Sequence, residues 1–104
     1  MATYRAKFNS PMSVEEAFSF LADFSNAPEW DANTKSSDLI EGDPYEVGAQ
    51  YRVVTAFAGR DLTLTYETIE IDRPNRVVLR SGTGMAAIED VMEFEADGDG
   101  SIVS

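Results

Sequence analysis

Few side chains in this sequence could do acid–base or polar chemistry in a sheltered place, and Asp90 is the sharpest of them. It lies between Ile88 and Met92 in an alternating run. Alternate residues of a strand share a face, so the register that buries Ile88 and Met92 also turns Asp90 inward. An inward carboxylate is costly unless it is paired, solvated or protonated. Two readings stand side by side. Asp90 is a polar group in a cavity, where it anchors a ligand or acts as a general acid/base. Alternatively, a bulge returns it to solvent or an Arg from a neighbouring strand pairs with it. Tyr51 and Tyr66 follow next. Their hydroxyls could hydrogen-bond a ligand carbonyl, or polarise one during enolisation. Equally, they are core rings with the hydroxyl at the rim. Thr55, Thr68 and Ser81 are weaker versions of the same case.

Other chemistries are excluded by composition. The 104 residues contain no His and no Cys. That removes a Ser-His-Asp triad, thiolate chemistry, disulfides and the commonest metal ligands. No metal site and no cofactor are expected. Glu15-Glu16 belongs to a helix start, Glu41 and Asp43 to a turn, and Glu89-Asp90 point to opposite faces. Gly82-Thr83-Gly84 is too short for a phosphate cradle and precedes a strand. Arg60, Arg73 and Arg76 read as solvated turn residues. With 19 acidic against 8 basic residues, the net charge of −11 repels phosphate backbones, so nucleic acid is not an expected partner. There is no basic-then-apolar N-terminal segment, and no apolar run approaches about 18 residues. A cytoplasmic protein without membrane insertion is the expectation.

The elements that must position these residues are legible. Thr3 to Phe8 alternates as a half-buried strand, and Asn9-Ser10-Pro11 stops it. Ser13-Val14-Glu15-Glu16 is a capping box. Val14, Ala17, Phe18 and Leu21 then mark one buried helical face. The helix ends near Ala22 to Asp23, and a second short turn spans Ser25 to Glu29, with Pro28 ending it. Trp30 either caps a pocket or, more simply, pins this turn to the sheet. Phe20 and Phe24 read as packing residues rather than a lid. Strand patterns follow at Ser36 to Glu41, Ala49 to Ala58, Asp61 to Ile71, Arg76 to Ser81, Ala86 to Ala96 and Ser101 to Ser104, separated by turn residues.

A two-residue loop at Gly59-Arg60 pairs Phe57 with Leu62, Thr55 with Leu64, Val53 with Tyr66 and Tyr51 with Thr68. All of them share one face. Val77, Leu79 and Ser81 join it, and so do Ile88, Met92 and Phe94; a turn at Gly98-Asp99 pairs Phe94 with Val103. Agreement across three turns predicts an antiparallel meander with one buried, concave side. The other face carries Arg52, Asp61, Thr63, Thr65, Glu67, Arg80, Glu89 and Glu93. Ile69 and Ile71 fall on that charged face unless a bulge moves them.

This order of elements resembles the START-like, Bet v 1-like helix-grip fold, an α+β architecture. Within it, the chain is similar to the polyketide cyclase/dehydrase and lipid-transport group of the SRPBCC superfamily. The likeness rests on Ser13 to Phe18, Asp23 to Trp30, Gly48, Tyr66-Glu67, Pro74-Asn75-Arg76-Val77, and Phe94-Glu95 before Asp97-Gly98-Asp99-Gly100. It implies a hydrophobic small molecule held over the concave sheet, with Tyr51, Val53, Phe57, Leu64, Tyr66, Leu79, Asp90 and Met92 as the binding residues. It also implies a long closing C-terminal helix, which does not follow Ser104 here. The single domain, 1–104, is therefore expected to be C-terminally incomplete, with about a dozen apolar side chains of its inner face open to water. Three functions follow: a binding module for a lipid or polyketide-like molecule, a cyclase/dehydrase with Asp90 or a Tyr handling protons, or an interaction domain whose open face pairs with a partner or a second copy in a homodimer.

Overall fold

Ser13 caps the first helix as its spacing to Glu16 predicts. Its hydroxyl accepts the Glu16 backbone N–H at 3.2 Å and donates to Glu16 Oε1 at 3.0 Å. The computed structural model describes residues 2–4, 7–82 and 87–104. Helix α1 (Val14–Ala22) buries Ala17, Phe18, Leu21 and Ala22 on one face. Asp23 ends it and caps the next turn, a 3-10 segment at Phe24–Asn26; Asp23 Oδ1 accepts from the Ser25 N–H at 3.2 Å and the Ser25 hydroxyl at 2.6 Å. Helix α2 (Ala27–Trp30) follows directly. Pro28 opens this helix rather than ending it, because a first-turn residue has no intrahelical use for its missing N–H.

The strands are β1 (Ala2–Tyr4), β2 (Phe8–Ser10), β3 (Thr34–Glu41), β4 (Gln50–Phe57), β5 (Arg60–Asp72), β6 (Arg76–Ser81), β7 (Ile88–Asp97) and β8 (Gly100–Val103). They form one sheet in the order β2-β8-β7-β6-β5-β4-β3, with β1 also on β7. The predicted strand from Thr3 to Phe8 is thus two pieces. β2 runs antiparallel to β8, and β1 pairs with β7 in parallel, the one exception to the antiparallel pattern among the described residues. Ala86, the expected start of the seventh strand, lies outside the described residues.

The predicted faces hold, but one register does not. Phe57 opposes Arg60, Thr55 opposes Leu62, Val53 opposes Leu64 and Tyr51 opposes Tyr66, two residues away from the expected pairing. The loop is Ala58-Gly59, with φ of 52° and 81°. A tight hairpin turn of this hand needs positive φ at both central positions, and Gly59-Arg60 would place Arg there. The shift is even, so every side chain keeps its face. At the last hairpin Phe94 opposes Val103, as predicted. In β5 a bulge absorbs Ile69: Thr68 opposes Leu79, Glu70 opposes Val78, and Ile71 opposes Val77. The bulge reverses the alternation, so Ile71 reaches the concave face and packs on the core.

The core lies between that face and the helices. Phe18 meets Phe94 edge to face at 5.4 Å. Tyr51, Val53, Tyr66, Val77, Leu79 and Phe94 are all buried, at most 7% exposed. The expectation of a largely open inner face is therefore corrected: α1 and the 3-10 turn lie across it and cover most of it. Leu62, Leu64, Ile88, Asp90 and Met92, toward the far ends of β5 and β7, remain half-buried. On the convex face, Arg76 pairs with Glu70 and Glu93 at 2.7 and 2.9 Å, and Arg80 pairs with Glu89. Between these charged pairs, Val78 and Val91 oppose each other and are buried. Arg76 is thus a strand residue in an ion-pair network rather than a solvated turn residue. Among the described residues no helix is long and apolar enough to cross a membrane.

Candidate functional site

Strand pairing sets the concave wall as a grid. Tyr51 opposes Tyr66; Thr68 opposes Leu79, which opposes Asp90; Ile71 opposes Val77, which opposes Met92. Phe24 is the hub above it. Its ring centroid lies 5.2 Å from Tyr66, 5.9 Å from Tyr51 and 5.9 Å from Trp30. Such tilted and edge-on contacts are the favoured aromatic geometry, worth about 1 kcal/mol each beyond burial. Phe24 is 3% exposed and Trp30 is 38% exposed, so Phe24 pins the turn and Trp30 leans on it at the rim.

Of the expected binding residues, Tyr51, Val53, Tyr66 and Leu79 form the buried floor. Leu64 and Met92 pack against that floor from half-buried positions. Phe57 ends β4, with its backbone opposite Arg60; its side chain lies outside the described residues. The structure thus brings seven of the eight onto one wall, split into a sealed floor and an accessible margin.

Three hydroxyls on this wall have no hydrogen-bond partner among the described residues: Ser37, Tyr51 and Thr68. Ser37 opposes Val53 and so shares the concave face. Burial pushes the Tyr51 phenol up to about 12, helped by the Asp23 carboxylate. The Phe24 backbone amide pulls the other way, but it stands outside full hydrogen-bonding geometry. Tyr51 is therefore a neutral hydrogen-bond donor at physiological pH. Thr55 differs, since its hydroxyl donates to the Asn33 carbonyl at 3.1 Å.

Asp90 sits half-buried between Ile88 and Met92, and among the described residues no donor or cation pairs with its carboxylate. Burial pushes its pKa up to about 6, and the Asp31 carboxylate adds to the rise. Asp31 follows α2 and holds its own loop, accepting from the Asn33 N–H and the Thr34 hydroxyl at 3.0 Å each. The pairing of Asp90 with an Arg, weighed from the sequence, does not occur among the described residues. Arg76 and Arg80 are on the convex side, Lys7, Arg52 and Arg60 are exposed, and Lys35 pairs with Asp61 at 2.8 Å.

Arg73 is also not simply solvated. Its guanidinium stands 5.3 Å from the Phe18 ring centroid and 5.1 Å from that of Tyr45, donates to Ser19 Oγ at 3.0 Å and pairs with Glu15 at 3.4 Å. It borders a wide shallow depression of about 480 Å³ outside α1, with Met12, Glu15, Glu16, Ser19 and Phe20. None of the three partnerless hydroxyls lines that depression, and it lies away from the concave wall.

Sequence reasoning did not find Ser37, Asp31 or the central place of Phe24. Ser37 and Asp31 gain their roles only from neighbours distant in the chain. For Phe24 a signal existed: a large aromatic between a cap residue and a Pro-Trp turn, in the segment that hands over from helix to sheet.

Comparison with known proteins agrees with this geometry. A search of curated protein sequences gives no match. Among solved structures, the crystal structure of Ara h 8.0201 superposes with a TM-score of 0.68 at 16% identity, covering 96% of this chain and 71% of that one. TTHA0849 from Thermus thermophilus gives 0.77 at 20% identity, covering 94% and 66% respectively. Mll3558 from Rhizobium loti gives 0.62 at 19% identity, covering 94% and 71%. The chain thus spans about two thirds of the length of these structures, which share its helix-grip fold. All of residues 1–104 match the family described as polyketide cyclase / dehydrase and lipid transport, and the chain belongs to that family.

Proposed function

We propose that residues 1–104 act as one domain that binds an apolar small molecule, lipid or polyketide-like, on the open part of the concave wall. One observation carries this reading. The wall is apolar, sealed at its floor by Phe24 and left half-buried at Leu64, Ile88 and Met92, with Asp90 on it as a carboxylate that no described residue pairs. Contact with such a margin supplies affinity through buried apolar area, and a few polar groups orient the ligand. An environment-sensitive apolar fluorophore is expected to bind saturably with a stoichiometry of about one, and Leu64→Asp is expected to abolish this while leaving the circular dichroism spectrum unchanged. Absence of saturable binding, or binding indifferent to Leu64→Asp, would count against the proposal.

A second reading is favoured by Asp90 alone. A carboxyl group titrating at about 6 is suited to proton transfer near neutrality. A cyclase/dehydrase-type reaction would then use pocket shape for positioning and Asp90 for the proton. Turnover of a polyketone unaffected by Asp90→Asn would exclude this role.

A further inference from the structure

We infer that the concave site selects apolar molecules bearing a protonated amine over apolar carboxylates of the same size. The inference rests on the reading of that face as a binding site and adds the charge class of its ligand.

Asp90 projects from β7 among apolar described side chains, with Ile88 and Met92 beside it along the strand and Leu79 across from it on β6, while β1 sets the backbone of Tyr4 opposite it on the other side. It has neither a hydrogen bond nor a counter-charge among the described residues. A carboxylate in that position is stabilised by whatever brings it a donor and a positive charge, and an ammonium group brings both. Asp31 deepens the negative potential, while its own oxygens already serve Asn33 and Thr34.

The described cations offer nothing to an anion here. Arg76 and Arg80 are committed to convex-face carboxylates, Lys35 to Asp61, and Arg73 to the outside of α1. A ligand carboxylate would therefore enter a wall whose negative charge no described cation neutralises, with like-charge repulsion added to its own desolvation.

A second feature points to a ligand independently of charge. The Thr68 hydroxyl is fully buried, lacks a partner among the described residues, and shares a cross-strand row with Asp90, Leu79 standing between them. Unsatisfied buried hydroxyls of this kind usually meet a water or a ligand atom. At a strand spacing of about 4.8 Å the two side chains stand about 10 Å apart, so an ammonium group would meet Asp90, and Thr68 would be left for another polar atom or a water.

The test uses three matched probes on the intact chain at pH 7.5: 2-(1-naphthyl)ethylamine, 2-(1-naphthyl)ethanol and 1-naphthylacetate, read by calorimetry. The amine is expected to bind about tenfold tighter than the alcohol, the usual gain of a charge-assisted hydrogen bond, and the acid weakest. In Asp90→Asn the amine advantage over the alcohol should fall to about twofold. The convex-face variant Glu67→Gln should keep the full advantage, which separates the site from general attraction to a chain of net charge −11. Acid binding as tight as amine, or an amine advantage that survives Asp90→Asn, would overturn the inference while alcohol binding leaves the site itself standing. If none of the three binds, the binding reading fails and the selectivity with it.

Discussion

At Asp90 an apolar wall holds a carboxylate that has no counter-charge among the described residues, so its protonation and the stability of the fold are linked. Its pKa rises from 3.8 to about 6 on folding. Between those values the folded chain holds a proton that the unfolded chain has released, so this residue's contribution to stability falls as pH rises from about 4 to about 6 and stays low above that. At about 1.4 kcal/mol per unit, reduced for partial exposure, the cost at pH 7 is about 1–3 kcal/mol. Asp90→Asn is therefore expected to stabilise the unliganded protein by that amount at pH 7 and to gain little near pH 4. Urea unfolding of both proteins across this range checks it; a gain independent of pH would contradict the burial argument. The same substitution is expected to weaken amine binding, so stability and recognition oppose each other at one side chain. Tyr51 gives a second residue-scale prediction. Its hydroxyl makes no bond with a described residue, so Tyr51→Phe should be neutral or stabilise by up to about 1 kcal/mol in the same assay. A larger loss would reveal a bound partner at that oxygen. Alternation within the strands is enough to turn both side chains inward. It cannot show that they lack partners, because that depends on residues such as Asp31 and Phe24 that reach them only in three dimensions.

Among the elements, the β4–β5 hairpin shows a local rule at work. Both loop residues need positive φ, and Ala58 adopts 52° without the freedom of glycine. Ala58→Gly should relieve this and raise stability by about 0.5–1 kcal/mol, measurable as a higher denaturation midpoint with an unchanged slope. An unchanged or lower midpoint would mean that the extra entropy of the unfolded glycine chain outweighs the relief. The helix start is legible from Ser13 and Glu16, because a cap is local in sequence. The bulge at Ile69 can be suspected from two isoleucines on a charged face, yet its position depends on which partner strand sets the register. Pro28 is ambiguous for a related reason: the same ring that forbids a helix interior is acceptable in a first turn, and the sequence does not say which turn it occupies.

For the whole molecule, strand order and the choice of buried face are written in the turns and the period-2 pattern. How the helices lie on that face is not, since no local rule sets the docking of α1. That docking changes the outlook for association. On the concave face the described residues leave a second copy only the half-buried margin around Leu62, Leu64, Ile88 and Met92, and each copy carries a charge of −11, which opposes association at low salt. Sedimentation is expected to show a monomer at micromolar concentration in low salt; a dimer would return the interaction reading to the front.

The bulge in β5 has a consequence for tolerance to change. This strand has 13 residues, which at about 3.3 Å each spans the molecule's 40 Å long axis. It behaves as two wave trains joined with a half-period slip at Ile69. Substituting Ile69 leaves the slip in place. Deleting it removes the slip, but Glu70 then follows Thr68 directly and still opposes Val78, and Ile71 still opposes Val77, so both keep their present faces. Ile69→Ala and the single-residue deletion of Ile69 should therefore both fold cooperatively, which thermal unfolding would report directly; loss of the cooperative transition on deletion would contradict this reading of the bulge.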